Sequence, residues 1–400
     1  MNPRTVVPPG AWLGMLGGGQ LGRMWVHAAQ SLGYRCLVLD PDPDSPAGRA
    51  AEKHLLADYL DPQALDEMGH GCAAVSTEFE NVPAQALAHL ARLTRVTPNA
   101  DAVSIAQDRA REKAHFQSCG VAVAPYRLIE NLADLAKVSA DGFPGILKTT
   151  RMGYDGKGQA RVRDAAGLAA AWHSLQGPGS AAPVPCVLEQ QLPLQTECSV
   201  VLARAADGSL THLPVQRNLH RQGILALTEV AEGLVDAALS RQLVRAAQAI
   251  AEGLNYVGVL CVEFFLLAQG DGGVRWVVNE IAPRPHNSGH HSMDACDLSQ
   301  FELQVRCMAG LPLREVRLHS PVAMINLLGD LWWQQGQARE PDWATLLNIP
   351  GTRLHLYGKA EARPGRKMGH LNITGESLAQ VRQRRDQAAL CLGLAPFDPA

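Results

Sequence analysis

The chain has 400 residues, of which 46% are hydrophobic and 19% are charged, and this composition excludes a largely disordered protein. Its length predicts about two or three domains. The 36 basic and 39 acidic residues nearly balance, which excludes a generally basic nucleic-acid binder but not a local basic pocket. Several of the 37 glycines fall in two short clusters, and glycine lets a backbone approach a ligand closely.

The nine cysteines form no C-x-x-C pair and no secretory leader is visible, so we expect reduced thiols in a cytoplasmic protein. The longest apolar run, residues 257–268, contains Glu263 and is too short to span a bilayer. We therefore expect neither a membrane nor a nucleic-acid partner. Residues 1–10 carry three prolines and are predicted to form a loose tail.

The first predicted elements form a strand, turn, helix and strand over residues 11–40. An apolar run at 11–16 leads into Gly17-Gly18-Gly19-Gln20-Leu21-Gly22, and a helical pattern at 23–32 precedes a second strand at 36–39 that stops at Asp40. This order is typical of a βαβ nucleotide-binding unit, and strands at 73–76 and 96–98 extend it to a domain over 11–108. The glycines favour an NAD-dependent oxidoreductase, another phosphate ligand or a tight turn without a ligand.

The middle of the chain alternates short β-like segments with few helices, which predicts antiparallel sheets. Helices are predicted at 102–117, 132–139 and 236–253. Strands are predicted at 145–149, 159–162, 186–191, 197–203, 257–267, 274–281 and 352–357, with a loop at 334–342.

The second glycine cluster, residues 153–159, lies between two predicted strands, with Lys148 on the incoming one. Three glycines suit a flexible flap whose N–H groups close over a triphosphate, while Lys148 supplies a point charge to the phosphates. A surface hairpin with a solvated lysine is the alternative. Because Gly158 follows Lys157, the cluster is not a Walker A loop, and the sequence contains no kinase motif.

Two glutamates face each other if the hairpin between 257–267 and 274–281 turns about Asp271-Gly272. In that register Glu263 pairs with Glu280, and opposed carboxylates destabilise a sheet unless a cation lies between them. With the amide of Asn279 they form an oxygen-only ligand set that suits Mg²⁺. A register slip that turns one glutamate to solvent is the alternative. The metal set and the flap together predict an ATP site.

Two polar runs follow. Residues 283–291, Pro-Arg-Pro-His-Asn-Ser-Gly-His-His, are typical of a site for an anion or polar ligand. A zinc site at His286 and His290 is an alternative, but no third ligand has a convincing spacing. The basic residues Lys359, Arg366 and Lys367 favour a phosphate site, with an ordinary solvated turn as the alternative.

The motifs at residues 17–24, 77–81 (Thr-Glu-Phe-Glu-Asn) and 363–372 resemble the ATP-grasp superfamily and, within it, the 5-(carboxyamino)imidazole ribonucleotide synthase family. The resemblance covers nearly the whole chain. It implies α/β and α+β folding, with a Rossmann-like pre-ATP-grasp domain at 11–108, an ATP-grasp module at 109–320 and a small C-terminal domain at 321–400. The lid of the module is expected at about 145–203, and members commonly form homodimers.

The resemblance also implies the site residues. It implies ATP contacts at Arg109, Lys148, Gly153, Tyr154, Asp155, Gly156, Lys157, Gly158, Gln159, Glu189, Gln190, Gln191, Leu192, Glu197, His220, Asn279 and Glu280. It implies ribonucleotide contacts at Gln20, Leu21, Glu78, Tyr154, Asp155, Arg284, Lys359 and Arg366. We also expect substrate contacts at Gly19, Asn81, His286, Asn287, Ser288 and Lys367. Magnesium is expected on Glu263 and Glu280, and catalysis on Tyr154, Asp155, Lys157 and Arg284. At the position of Lys157 arginine also occurs in the family. Lysine keeps the positive charge there but cannot make the bidentate contact of an arginine.

The expected activity is ATP-dependent carboxylation of 5-aminoimidazole ribonucleotide by bicarbonate, through carboxyphosphate, in purine biosynthesis. We expect Asp155, assisted by Tyr154, to take the amine proton, and residues 17–22 to cradle the ribonucleotide phosphate. Three alternatives are a formate-dependent glycinamide ribonucleotide transformylase, an NAD-dependent oxidoreductase and a nucleotide sensor that binds ATP without hydrolysing it. ADP release that requires both bicarbonate and 5-aminoimidazole ribonucleotide would distinguish the expected activity from the transformylase and from the sensor. A change in nicotinamide absorbance would identify the oxidoreductase.

Overall fold

A computed structural model describes residues 5–151, 153, 158–176, 183–268, 274–334 and 337–397. Within these ranges no helix is both long enough and apolar enough to cross a membrane. The predicted residues Tyr154, Asp155, Gly156 and Lys157 lie outside the described ranges.

The N-terminal unit is a parallel sheet of strand order β3-β2-β1-β4-β5 with helices packed against it. Its elements are β1 (Trp12–Leu16), α1 (Gln20–Ser31), β2 (Arg35–Leu39), β3 (Lys53–Leu55), α2 (Pro62–Gly71), β4 (Ala74–Thr77), α3 (Ala84–Leu90), β5 (Arg95–Val96) and α4 (Ala100–Ala106). The predicted strand, turn, helix and strand are confirmed. Because β1 and β4 are parallel neighbours, the glycine turn after β1 and the residues after Thr77 meet at one edge of the sheet.

The predicted helix at 102–117 is two helices, α4 and α5 (Arg109–Ser118). Asp108 separates them, since its backbone is extended and its side chain accepts hydrogen bonds from the amides of Ala110 (3.1 Å) and Arg111 (3.3 Å). This cap begins α5, whose Glu112, Lys113 and Phe116 are buried.

The second unit is an antiparallel sheet of order β6-β9-β7-β8. Its elements are β6 (Tyr126–Ile129), α6 (Leu132–Leu135), β7 (Gly145–Thr149), β8 (Gln159–Val162), α7 (Ala165–Leu175) and β9 (Cys186–Gln190). Strands β7 and β8 have the predicted bounds, whereas the predicted helix at 132–139 is a single turn. Lys148 pairs with Gln159 at the end of the β7–β8 ladder, so the second glycine cluster connects these two strands.

The third unit is a larger antiparallel sheet of order β15-β14-β10-β12-β13-β16-β20-β19. Its elements are β10 (Leu194–Arg204), β11 (Leu210–His212), β12 (Gln216–Arg221), β13 (Ile224–Val230), α8 (Ala237–Gly253), β14 (Gly258–Ala268), β15 (Val274–Ala282), α9 (Ser292–Ala295), α10 (Gln300–Ala309), β16 (Val322–Leu328), α11 (Trp343–Leu347), β19 (Thr352–Leu356), β20 (Lys367–Thr374) and α12 (Leu378–Cys391). A short pair, β17 (Trp333–Gln334) and β18 (Gln337–Ala338), occurs in the predicted loop. Through β13 and β16, the C-terminal strands continue the central sheet.

The predicted register of the β14–β15 hairpin is correct only at its inner end. Val262 pairs with Ile281 as predicted, but Phe264 pairs with Val278, one position off the predicted register. The predicted direct pairing of Glu263 with Glu280 is therefore wrong. A β-bulge sets both Asn279 and Glu280 opposite Glu263, and such a bulge re-aims side chains locally.

Helix α10 joins the N-terminal sheet to the central sheet. Phe301 and Met308 belong to the same buried apolar cluster as Leu13 of β1, while Leu303 and Cys307 pack under β10 and β14. One helix therefore holds the two sheets in a defined relation, with a cleft between them.

Candidate active site

A single cavity of about 1490 Å³ lies where the N-terminal unit, the β6–β9 sheet and the central sheet meet. Most of the predicted site residues within the described part of the chain line it. They are Gly19, Gln20, Leu21, Glu78, Asn81, Arg109, Lys148, Gly153, Gln159, Glu189, Gln190, Gln191, Leu192, Glu197, His220, Glu263, Asn279, Glu280, Arg284, His286, Asn287, Lys359, Arg366 and Lys367. Gly158 and Ser288 are not on the cavity wall.

The first glycine turn holds carboxylates from this same chain. Glu78 accepts hydrogen bonds from the amides of Gly19 (2.5 Å) and Gly22 (2.8 Å), while Asp40 accepts from Gly18 (2.6 Å) and from Tyr59 (2.6 Å). The amides expected to cradle a phosphate are therefore occupied by Glu78. The Asp40 carboxylate is likewise bound to the protein instead of facing a dinucleotide ribose.

Close approach of Glu78 explains why glycine occupies this turn. A Cβ atom at Gly19 would lie 2.3 Å from the Glu78 Oε1 atom, and one at Gly17 would lie 2.5 Å from Glu78 Cγ. Burial raises the pKa of the Glu78 carboxyl, whereas the two amides lower it. The turn thus fixes a buried carboxyl group at the edge of the cavity.

A buried ion cluster forms the part of the cavity under the β6–β9 sheet. Glu189 is 3.0 Å from the Nζ atom of Lys148 and 3.1 Å from that of Lys113. Burial would raise the pKa of Glu189, but the two ammonium groups outweigh it and lower the pKa to about 2. Glu189 is therefore ionised at neutral pH and holds the Lys148 ammonium group at the cavity wall.

Sequence reasoning missed two charged residues of α5, Glu112 and Lys113. Glu112 accepts a hydrogen bond from the amide of Ile281 (2.8 Å), and both side chains are buried. Burial and the nearby Glu280 raise the pKa of Glu112 to about 8. The adjacent opposite charges were visible in the sequence, but an amphipathic helix usually exposes such a pair.

Carboxylates converge at the β14–β15 bulge. Arg109 binds Glu280 (3.0 Å), and burial together with Glu280 raises the pKa of Glu263 to about 7. Glu197, also on the central sheet, forms an ion pair with His220. Burial opposes a charge on His220, but Glu197 and Glu263 raise its pKa. This part of the cavity therefore holds excess negative charge.

The residues at the bulge fit a hard divalent cation. The Oδ1 atom of Asn279 is buried and has no hydrogen-bond partner within the described residues. Asn279 lines the same cavity as Glu263 and Glu280, so the side chains available at the bulge offer oxygen ligands, as Mg²⁺ prefers.

The structure does not pair His286 with His290. The Nε2 atom of His286 is 3.2 Å from Glu263 Oε1, whereas Nδ1 of His290 bonds the side-chain amide of Gln300 (2.9 Å). Among the described residues, the histidine, cysteine and acidic side chains that lie close enough to share a metal ion are Cys261, Glu263 and His286. Their ligand atoms lie within 4.8 Å of one another.

Basic groups and an unsatisfied amide also line the cavity, and we call this set of residues its basic end. Arg284 is paired with Glu80, and this pairing outweighs burial and raises the Arg284 pKa. Lys359 donates to the carbonyl of Lys367 (2.9 Å), and Arg366 lines the same wall. Both amide atoms of Asn287 are buried without a hydrogen-bond partner among the residues described. This end can bind an anion next to a polar group.

Three family models match consecutive parts of the chain. A ribonucleotide synthetase preATP-grasp domain matches residues 11–107, an ATP-grasp domain matches 114–301, and a phosphoribosylaminoimidazole carboxylase C-terminal domain matches 322–384. The N5-carboxyaminoimidazole ribonucleotide synthase of Brucella melitensis is 40% identical over an alignment of 376 positions that covers 92% of this chain and 97% of the relative. The chain belongs to the N5-carboxyaminoimidazole ribonucleotide synthase family.

Solved structures of this family have the same fold. The N5-carboxyaminoimidazole synthetase of Staphylococcus aureus complexed with ADP matches with a TM-score of 0.85 at 34% identity, covering 96% of this chain and 98% of that one. The Aspergillus clavatus N5-carboxyaminoimidazole synthase in complex with ADP and 5-aminoimidazole ribonucleotide matches with a TM-score of 0.83 at 28% identity, covering 96% and 99%. The resemblance and the fold class expected from the sequence motifs are confirmed.

Proposed function

We propose that the protein is an ATP-dependent carbon–nitrogen ligase of purine biosynthesis. It carboxylates the exocyclic amine of 5-aminoimidazole ribonucleotide with bicarbonate and releases ADP and phosphate. The observation that carries this proposal is one cavity whose lining combines two chemically different sets of residues. Lys148 and the acidic β14–β15 bulge form the set that we call the acidic end, and Arg284, Lys359 and the unsatisfied amide of Asn287 belong to the basic end.

Bicarbonate needs activation because its carbon has no good leaving group. In the proposed first step a bicarbonate oxygen attacks the γ-phosphorus of ATP, the bond to the bridging oxygen breaks, and ADP leaves. In the second step the amine nitrogen bonds to the carbon of carboxyphosphate, or of the CO₂ released from it. Phosphate leaves, and the nitrogen gives up a proton. Both steps need aligned reactants and compensation of developing negative charge.

The residues of the acidic end would hold ATP and its cation. We assign Lys148 to the phosphates, because Glu189 fixes its ammonium group at the cavity wall. The segment 189–192, which connects the two antiparallel sheets, is assigned to the adenine, as the family resemblance implies. Glu263, Glu280 and Asn279 would hold Mg²⁺. When bound there, Mg²⁺ would supply positive charge that compensates the negative charge of the phosphates.

The residues of the basic end would hold the ribonucleotide. Lys359, Arg366 and Lys367 are assigned to its phosphate, because Glu78 already occupies the amides of the glycine turn. Asn287 can both donate to and accept from a polar ligand, as neither of its amide atoms has a partner among the described residues. Arg284, fixed by Glu80, would compensate charge on the carboxyphosphate.

The identity of the proton acceptor, the catalytic role of Lys157 and the oligomeric state stay predictions. Asp155 and Tyr154, expected to remove the amine proton, and Lys157 lie outside the described residues. We also propose a homodimer in the cytoplasm, as expected from the sequence.

An ADP-release assay coupled to NADH oxidation tests the proposed function when each substrate is omitted in turn. We expect ADP release only when ATP, Mg²⁺, bicarbonate and 5-aminoimidazole ribonucleotide are all present. Release of ADP with glycinamide ribonucleotide and formate instead would identify the transformylase alternative. ATP binding without any stimulated ADP release would favour a nucleotide sensor, and reduction of NAD in the absence of coupling enzymes would favour an oxidoreductase.

A further inference from the structure

A chain of hydrogen bonds runs through the interior below the acidic bulge and ends on Glu263. It starts at Asn218, whose Nδ2 atom donates to the Ser199 hydroxyl at 2.9 Å. Ser199 lies 2.8 Å from the Ser288 hydroxyl, which lies 3.0 Å from Nδ1 of His286. Nε2 of His286 is 3.2 Å from Oε1 of Glu263. The two serines are fully buried, so water does not compete for these bonds.

The contacts of His286 determine which ring nitrogen carries the proton. The backbone N–H of Ser288, which can only donate, points at Nδ1 at 3.3 Å, so Nδ1 is an acceptor. A neutral ring with an unprotonated Nδ1 carries its proton on Nε2. His286 therefore donates its Nε2–H to Glu263.

The serine hydroxyls support this orientation of the ring. Ser288 can donate to His286 while it accepts from Ser199, and Ser199 accepts from Asn218. The single proton of Ser199 also has Gln216 Oε1 within reach at 3.0 Å, and Ser199 serves one acceptor at a time. When Ser199 donates to Ser288, every donor points toward Glu263, and aligned hydrogen bonds of this kind strengthen one another.

We propose that His286 is a positioning residue for the divalent cation, and that Ser288 and Ser199 fix its imidazole. Glu263 lies opposite both Asn279 and Glu280 in the strand register, so charge repulsion between the two glutamates favours rotation of the Glu263 side chain away from the bulge. A donor on Oε1 opposes that rotation and leaves Oε2 for the cation. Histidines and other groups that orient a metal ligand in this way commonly affect metal affinity about 10–100-fold. This inference rests on the proposed function, because it takes Glu263 to be a cation ligand.

The experiment measures binding of Mn²⁺, as a probe for Mg²⁺, to the full-length protein with ADP by electron paramagnetic resonance. The variants His286→Gln and His286→Asn distinguish the roles of the two ring nitrogens. The amide nitrogen of Gln extends about as far as Nε2, whereas that of Asn reaches only about as far as Nδ1. We expect His286→Asn to weaken Mn²⁺ binding about tenfold and His286→Gln to stay closer to the wild type.

Ser288→Ala tests the support of the ring, because Ser288 does not line the cavity. We expect Ser288→Ala to weaken Mn²⁺ binding less than His286→Asn does. Ser292→Ala is the matched control, since Ser292 is also buried in the same segment, but its hydroxyl donates to the carbonyl of Gly289 and accepts from the amide of Gln300 instead of bonding His286. We expect it to leave Mn²⁺ binding unchanged. In the Ser288→Ala variant, ADP release that needs a higher Mg²⁺ concentration, with an unchanged unfolding midpoint, would distinguish a positioning role from a loss of fold.

The outcomes distinguish this inference from the proposed function. Glu263→Gln should remove the Mn²⁺ site, and if it does not, the assignment of the cation to Glu263 is wrong. If Glu263→Gln removes the site but both His286→Asn and Ser288→Ala bind Mn²⁺ as the wild type does, His286 is not a positioning residue. If His286→Asn lowers the unfolding midpoint, Ser288→Ala alone decides: weaker Mn²⁺ binding supports the positioning role, and wild-type binding contradicts it.

Discussion

Lys148 and Glu189 form a buried ion pair across strands β7 and β9, with 3.0 Å between Nζ and Oε2. Lys113 approaches the same carboxylate from α5 at 3.1 Å. Two ammonium groups on one carboxylate leave a surplus of positive charge. Of the two lysines, Lys148 lines the cavity and Lys113 does not. The arrangement keeps a positive charge at the cavity wall, as the proposed phosphate site requires.

Replacing Lys148 with Met should lower kcat for ADP release about 10²–10³-fold, because a fixed charge near the transferred phosphoryl group is lost. Lys113 still pairs with Glu189 in this variant, so we expect the fold to persist. Lys137→Met is the matched control, since Lys137 is exposed and pairs only with the nearby Asp134 among the described ion pairs. A Lys148→Met variant as active as the Lys137→Met variant would contradict the assignment.

Replacing Gly19 with Ala should raise KM for the ribonucleotide about tenfold, which corresponds to about 1.4 kcal/mol of binding free energy. The new Cβ would lie 2.3 Å from Oε1 of Glu78 and would displace that carboxylate. KM for ATP should stay unchanged, because ATP is assigned to the other end of the cavity. Gly71→Ala is the control, as a Cβ there meets no atom within 4 Å. Steady-state ADP release with each substrate varied checks the prediction, and equal changes in both KM values would contradict it.

Binding of divalent cations should weaken as the pH falls below 7. Burial and Glu280 raise the pKa of Glu263 to about 7, so lower pH protonates the carboxylate that the cation needs. One competing proton weakens apparent affinity about tenfold for each pH unit below the pKa. Mn²⁺ titrations of the protein with ADP at pH 6, 7 and 8 measure this, and titrations of ADP alone give the nucleotide's own contribution. A protein-dependent affinity that is constant over this range would show that Glu263 is not the group in competition.

Replacing Glu229 with Gln should destabilise the fold by about 3 kcal/mol or more while leaving the chemistry of the cavity intact. Glu229 on β13 is buried and binds Arg385 (2.8 Å) and Arg382 (3.0 Å) of α12, so its loss leaves buried charge without compensation. It does not line the cavity. Asp386→Asn is the control, because Asp386 is half exposed and should cost about 1 kcal/mol at most. Urea unfolding measures the difference, and a Glu229→Gln variant no less stable than Asp386→Asn would refute the prediction.

Local patterns predicted much of the fold. Strands β7 and β8 were predicted with their observed bounds, because alternation of side chains between two faces is a property of a few consecutive residues. The sequence alone shows the two glycine clusters, the acidic residues near the β14–β15 hairpin and the basic residues near the end of the chain. Three motifs far apart in the chain sufficed to indicate the family.

Long-range packing decided the rest. The bulge that sets Asn279 and Glu280 opposite Glu263 could not be predicted, because an ideal hairpin and a bulged one have the same local pattern. The role of Glu78 was also hidden, since only the parallel pairing of β1 with β4 brings it to Gly19, which lies 59 residues earlier.

The sequence by itself determined which residue types are available for phosphate, cation and anion binding, and in which segments they lie. Tertiary structure alone decided which of them are buried together: Lys113 and Glu112 become part of the site only because α5 packs into the interior. The physical reason is that charge pairing and burial depend on distances between segments far apart in the chain. Those distances are set by how the sheets pack, and the pattern within any one segment does not contain them.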